Sequence, residues 1–107
     1  MDHVVQHINY IKDLIGVDYV GIGADYDGVP TLPEGLEDVS TYPVLFRELK
    51  KQGWSKENLK KLAGANLIRV FKAVEKVRDD KINIQPFEES IPEDEVIPNR
   101  DCVSSKV

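Results

Sequence analysis

Residues 20–28 read VGIGADYDG, a stretch in which β-forming valine and isoleucine alternate with glycine before two closely spaced aspartates. The tyrosine, valine and isoleucine within residues 18–23 favour a strand, and the glycines allow another backbone to approach it closely. Catalytic groups of α/β folds stand just beyond the carboxyl ends of buried parallel strands, which is the position of Asp25. The stretch therefore predicts an α/β fold with a candidate functional residue at Asp25.

Four interpretations of residues 20–28 are open to test on the sequence. A dinucleotide fingerprint is excluded, because Tyr26 occupies its third glycine position and the prolines that follow prevent a helix from starting. An EF-hand calcium loop is disfavoured, because glycine stands two residues before Asp25 and Glu37 has the wrong spacing. The remaining two are a catalytic carboxylate at Asp25 and a plain turn in which Asp25 or Asp27 accepts backbone N–H bonds. Spacing alone does not separate them.

Helical patterns lie on both sides of this stretch. Apolar residues at intervals of three and four predict a helix over residues 2–15, and Gly16 is placed to end it. Residues 24–40 show no periodicity and predict a long loop, a kind of segment that is usually functional or disordered in compact domains. The other predicted helical segments are residues 42–52, begun with Pro43 and ended by Gly53, and residues 55–78, capped by Ser55 and interrupted at Gly64.

This order of elements contains a single convincing strand. A lone strand cannot pair its backbone N–H and C=O groups. Helix, strand, long loop and helix in succession are typical of one segment of a parallel sheet whose neighbours are missing. The chain is therefore interpreted as a fragment of a larger α/β protein, in preference to a chain that pairs with another, and it is expected to fold poorly alone.

Residues 79–107 form a tail whose composition differs from that of residues 1–78. The 107 residues carry 14 basic and 19 acidic side chains, a formal net charge of -5, and the whole imbalance falls in the tail. Three prolines in the tail exclude a long helix, so an extended or irregular course is expected. An acidic chain is a poor candidate for nucleic-acid binding, and no apolar run approaches the roughly 20 residues that cross a bilayer.

The cysteine and histidines give no independent metal site. Cys102 is the one cysteine, so the chain can form no internal disulfide, and the thiol is either incidental or paired with another molecule. His3 and His7 stand at i and i+4, a spacing that can bind a metal, but no glutamate lies between them as it does in the H-E-x-x-H motif. A structural, partly buried pair is therefore predicted.

Six stretches of the chain make a specific combination. They are DHVVQHI at residues 2–8, VGIGADYDGVP at residues 20–30, PEGLEDVSTYP at residues 33–43, GWS at residues 53–55, NLIRVF at residues 66–71, and Glu75. Together they resemble the C-terminal part of the membrane (renal-type) dipeptidases over about residues 2–78. The run GLEDVS after DYDG is the most specific of them.

The resemblance implies a (β/α)8 barrel of the metal-dependent hydrolase kind. Residues 1–78 would supply helix 7, strand 8 and the closing helices, and residues 79–107 would follow as the acidic, proline-containing tail. The implied enzyme uses two zinc ions to hydrolyse the peptide bond of dipeptides. Its zinc ligands would lie on earlier strands, so no metal ligand is assigned within this chain, and the chain alone is expected to be inactive.

The resemblance also implies roles for individual residues. Asp25 aligns with a carboxylate that exchanges protons with the attacking water and the leaving amine and contacts the amino group of the substrate. The resemblance carries over no assigned role to Asp27, which is expected to hold the loop through backbone N–H groups. Cys102 is expected to link a homodimer by an interchain disulfide, and a glycosylphosphatidylinositol anchor is expected to hold the parent protein on the extracellular face of the plasma membrane. The alternative is a non-enzymatic truncated product or interaction module of the same ancestry.

Overall fold

The computed structural model describes residues 1–92, which form helices joined by short turns and one long loop. The first predicted helix is confirmed at both ends, and the last extends two residues beyond its expected end, to Asp80. The elements are α1 (Asp2–Ile15), a 3-10 turn (Val17–Tyr19), a second 3-10 turn (Val39–Thr41), α2 (Tyr42–Lys51), α3 (Lys56–Lys60), a π-helical turn (Lys61–Ala65) and α4 (Asn66–Asp80).

The predicted strand over residues 18–23 is not formed, and residues 1–92 contain no strand. Val17–Tyr19 make a 3-10 turn instead, and Val20 then adopts an extended conformation with φ -115° and ψ 139°. A strand requires a neighbour that pairs with its N–H and C=O groups, and no neighbour does so within the described residues. The α/β prediction is therefore not met by these residues themselves, although the extended backbone that it required at Val20 is present.

Local signals in the sequence set the helix ends as predicted. Gly16 and Gly53, which follow α1 and α2, have φ values of 97° and 91°, a region that glycine enters without steric cost. Pro43 lies in the first turn of α2, where its missing N–H would have had no helical partner. The Ser55 hydroxyl caps α3 by accepting a hydrogen bond from the Asn58 N–H at 3.1 Å.

A small apolar core lies where α1, α2 and the residues after α2 meet. Trp54 joins these parts, because its indole N–H donates a hydrogen bond of 2.7 Å to the side-chain oxygen of Asn9 on α1. The ammonium group of Lys12 lies 5.4 Å from the centre of the same ring. The buried members of the core are Val5, Ile8, Val20, Leu36, Leu45, Leu49, Trp54 and Leu62.

Asn66, at the start of α4, binds the extended segment, which has no strand beside it within residues 1–92. Its buried side-chain amide donates hydrogen bonds to the carbonyl oxygens of Val17 at 2.7 Å and Val20 at 2.9 Å. The Lys61 ammonium lies 2.7 Å from the Asp18 carboxylate, and this hydrogen bond lowers the pKa of Asp18. Side chains from the π-helical turn and α4 therefore fix the backbone that leads to Asp25.

One apolar face of α4 has no cover within residues 1–92. We call this face the α4 stripe, and its side chains are between 47% and 70% exposed. Residues 81–92 continue beyond α4 without helix or strand, as predicted for this part of the tail. The other tail residues, Cys102 among them, lie outside the described part of the chain. The α4 stripe consists of Leu67, Val70, Phe71, Val74 and Val77.

Candidate active site

The backbone before Asp25 alternates between two environments. Val20 is buried, and Ile22 and Ala24 are partly buried, whereas Gly21, Gly23 and Asp25 are exposed. A period of two is the signature of an extended chain, in which successive side chains point to opposite sides. Asp25 therefore lies on the side away from the core, at the end of the extended segment, although that segment is unpaired.

Asp25 begins a tight turn that ends at Gly28. Asp25 has a φ of 55°, a left-handed conformation that aspartate tolerates better than most residues. Its carbonyl oxygen accepts a hydrogen bond from the Gly28 N–H at 2.9 Å. Its carboxylate bends back over Gly28, where a Cβ atom would stand 2.5 Å from Asp25 Oδ1. The turn thus presents a carboxylate that is exposed to solvent and confined on one side by its own backbone.

The long loop after this turn is closed by polar contacts near its far end. The Tyr26 hydroxyl donates a hydrogen bond of 3.1 Å to the carbonyl oxygen of Asp38. The Asp38 carboxylate accepts the Ser40 N–H at 2.7 Å, and hydrogen bonding from the Ser40 hydroxyl, together with this N–H, lowers the pKa of Asp38. The ring of Tyr26 lies 5.9 Å from that of Tyr42, and partial burial raises the pKa of the Tyr42 hydroxyl. These contacts join Tyr26 to Asp38 and to the start of α2.

A groove of about 280 Å³ lies beside the turn, between α1 and the loop. Gly23, Ala24 and Tyr26 line it, but Asp25 does not, because its side chain points the other way. Most of the lining is apolar, and His7 supplies an imidazole at its edge.

The structure does not support the predicted roles of Asp27, His3 and His7. Within residues 1–92, Asp27 makes no hydrogen bond; Glu37 and Asp38 are the loop carboxylates that accept backbone N–H groups. His3 and His7 are exposed on α1, so the predicted partly buried pair is wrong. The buried side chains of α1 are Val5 and Ile8, so the helix packs against the core without either histidine.

The described residues supply no metal centre. No three side chains of histidine, cysteine, aspartate or glutamate within residues 1–92 come together in an arrangement that could hold a metal ion. Asp25 has no such partner in this part of the chain. In the same residues, no helix has the length and apolar character needed to cross a bilayer.

The sequence made Asp25 a candidate, and this stays a prediction, whereas the contacts of Gly28 and Asn66 were not predicted. Gly28 was visible as a glycine in a loop, but its contact depends on the side-chain conformation of Asp25, which the sequence does not specify. Asn66 stands at the start of an apolar helix, and a polar residue on the inner side of such a helix is a signal that could have indicated a buried hydrogen-bonding role.

Comparison with known proteins assigns most of the chain to one group. Residues 1–85 match the family model described as Membrane dipeptidase (Peptidase family M19). The chain is 47% identical over 89 residues to Dipeptidase 3 of Homo sapiens, a match that covers 83% of the chain and 18% of that protein. It is 46% identical over 90 residues to Dipeptidase 3 of Rattus norvegicus, which covers 84% and 18%.

A more distant relative is fungal. The chain is 38% identical over 94 residues to Dipeptidase tcpJ of Claviceps purpurea (strain 20.1), a match that covers 87% of the chain and 22% of that protein. The chain thus spans about one fifth of the length of the curated relatives that it matches.

Proposed function

The chain belongs to the membrane dipeptidase family, peptidase family M19, and from this we propose that it serves as the C-terminal part of a zinc-dependent enzyme that hydrolyses the peptide bond of dipeptides. The family match over residues 1–85 and the dipeptidase names of its relatives support this reaction. The observation that carries the proposal is the position of Asp25, an exposed carboxylate at the end of an extended segment and on the side away from the core.

We assign Asp25 the proton transfers of the reaction. Its carboxylate takes a proton from the water that attacks the peptide carbonyl carbon, and it gives that proton to the nitrogen as the C–N bond breaks. The same negative charge attracts the ammonium group at the amino end of the dipeptide. Positioned acid–base groups typically contribute about 10²- to 10⁴-fold to a rate.

The zinc ions of the proposal have no ligands among the described residues. Residues 1–92 hold no group of three or more side chains suited to a metal ion, and His3 and His7 are exposed on α1, with His7 at the edge of the groove. The zinc ligands are therefore proposed to come from preceding strands of the same enzyme. For that reason the 107-residue chain is proposed to be inactive alone.

The architecture proposed for the enzyme is a (β/α)8 barrel. In it, α1 would be helix 7, residues 18–23 would become strand 8 once neighbouring strands pair with them, and α2 to α4 would close the ring. The alternation of exposure along residues 20–25 supports this step, because it already separates a helix-facing side from an open side. A disulfide-linked homodimer through Cys102 and a glycosylphosphatidylinositol anchor on the extracellular face of the plasma membrane complete the proposal on family resemblance.

Activity of a complete enzyme tests this function. We define the complete dipeptidase as residues 1–107 joined after the preceding part of a family member that hydrolyses dipeptides. Release of free amino acids from a dipeptide should be measured with zinc, after removal of zinc by a chelator, and after zinc is restored. We expect hydrolysis in the first and third conditions only, and none from the 107-residue chain alone. A folded, zinc-loaded complete dipeptidase without hydrolysis would instead favour the non-enzymatic alternative.

A further inference from the structure

The carboxylate of Asp25 occupies the space that a side chain at position 28 would need. A Cβ atom built on Gly28 would lie 2.5 Å from Asp25 Oδ1, 3.1 Å from Cγ and 3.2 Å from Oδ2. All three of the nearest atoms therefore belong to one carboxylate. We propose that Gly28 is a positioning residue, which leaves open the space in which the Asp25 carboxylate is held; the inference rests on the proposed function of Asp25.

The backbone of Gly28 gives no other reason for glycine at this position. Gly16, Gly35 and Gly53 have positive φ values between 80° and 97°, whereas Gly28 does not lie in that left-handed region. An alanine could therefore adopt the backbone conformation of Gly28. What it could not do is keep its methyl group clear of the Asp25 carboxylate in its present position.

The carboxylate is the part of the turn that would move. The ends of the turn are joined by the hydrogen bond of 2.9 Å between the Gly28 N–H and the Asp25 carbonyl oxygen. The Asp25 side chain is exposed, so its carboxylate can change rotamer without displacing a neighbouring side chain. To reach an ordinary contact of 3.4 Å with an added methyl group, Oδ1 must retreat by about 0.9 Å from the 2.5 Å position.

A displacement of this size matters for a proton-transfer group. Proton transfer needs a heavy-atom separation within hydrogen-bond reach, and a misplacement of about 1 Å can cost roughly 10²-fold in rate. Gly28→Ala should therefore lower kcat by about 10²-fold while the fold and the turn persist. Because the effect passes through Asp25, it should nearly vanish when Asp25 has already lost its acid–base function.

A double-mutant cycle in the complete dipeptidase tests the inference. The variants are Gly28→Ala, Asp25→Asn and the two together, with Val29→Ala as a control at the next position of the same loop. For each, kcat, KM and the melting temperature are measured, and crystal structures give the position of the residue-25 side chain. We expect Gly28→Ala to displace the carboxylate and lower kcat more than it raises KM, with Val29→Ala close to wild type.

The outcomes separate this inference from the function on which it rests. In the Asp25→Asn background, Gly28→Ala should cost less than about threefold in kcat, because groups that act as a unit are not additive. A carboxylate that stays in place in Gly28→Ala, or a full further loss of kcat in the double variant, would overturn the positioning role. A displaced carboxylate with unchanged kcat would instead overturn the acid–base role of Asp25.

Discussion

Asp25 combines a left-handed backbone conformation with an exposed side chain. Its φ of 55° is uncommon outside glycine, and its carboxylate accepts no hydrogen bond within residues 1–92. A turn-forming aspartate normally accepts a nearby backbone N–H, as Asp38 does from Ser40. Both interpretations that the sequence left open therefore stay predictions, because the main chain of Asp25 forms the turn while its carboxylate accepts no hydrogen bond within residues 1–92.

Substitution of the two loop aspartates in the complete dipeptidase compares chemistry with scaffolding. Asp25→Asn keeps the size of the side chain but removes its proton-accepting charge, so kcat should fall by at least about 10²-fold with zinc still bound. Asp27→Asn should cost far less, because the exposed Asp27 holds no hydrogen bond in the described part of the chain. Steady-state kinetics and metal analysis of both variants provide the measurement. Near-normal kcat in Asp25→Asn, or equal losses in the two, would show that the acid–base group is assigned wrongly.

The sequence allows a candidate residue to be chosen, but it does not predict the contacts of that residue. Asp25 was identified by its place after a β-forming stretch, which depends only on the order of residues. The backbone-holding role expected of Asp27 belongs to Glu37, which accepts the N–H of Gly35, and to Asp38, which accepts the N–H of Ser40. That choice depends on the φ and ψ values of a loop without periodicity, which residue types alone do not determine.

The helix ends could be predicted from adjacent residues, whereas the pairing of the extended segment could not. Glycine, proline and serine near the helix ends act on the adjacent backbone, so α1 and α2 could be predicted closely from the sequence. The strand depends on partners that are distant in sequence or outside the chain, so its pairing could not be read from residues 18–23. What those residues determine locally, the extended course and the alternation of exposure, is present.

The Asn66 side chain should be the main attachment between α4 and the extended segment. Asn66→Ala removes two hydrogen bonds and leaves the carbonyl oxygens of Val17 and Val20 without these donors. Leaving buried polar groups without partners costs about 1–3 kcal/mol. The free energy of unfolding of the complete dipeptidase, measured by urea denaturation, should therefore fall by about 1–3 kcal/mol. Asn58→Ala, in the neighbouring α3, is the matched control, because the Asn58 side chain makes no hydrogen bond within residues 1–92. Equal stability of the two variants would contradict this role for Asn66.

The molecule as a whole presents more apolar surface than residues 1–92 can cover. The α4 stripe has no neighbour among residues 1–92, and Tyr19, directly before the extended segment, is 72% exposed. Contiguous apolar patches of this kind normally mark an interface. Because the chain spans about one fifth of the length of its relatives, the remaining barrel of the proposed enzyme accounts for such a surface.

A covalent dimer is the prediction for the tail. If Cys102 forms the proposed interchain disulfide, the complete dipeptidase secreted from cells should migrate as a dimer without reductant and as a monomer with it. Cys102→Ser should abolish the dimer band and leave kcat unchanged, because no residue assigned to the reaction lies in the tail. Ser104→Ala is the matched control and should keep the band. Mobility that does not change on reduction would count against the disulfide.

Amide hydrogen exchange tests whether the extended segment needs partners from outside the chain. The N–H groups of residues 20–23 find no acceptor within residues 1–92, whereas those in the interior of α2 are bonded along the helix. In the monomeric 107-residue chain, residues 20–23 should therefore exchange with opening free energies near zero, as frayed ends and mobile loops do. The amides of α2 provide the internal reference. In the complete dipeptidase the same four amides should become strongly protected, because strand pairing would then supply their acceptors. Strong protection over residues 20–23 in the isolated monomer would mean that the chain supplies acceptors for these N–H groups by itself, and the interpretation of the chain as one segment of a larger sheet would fail.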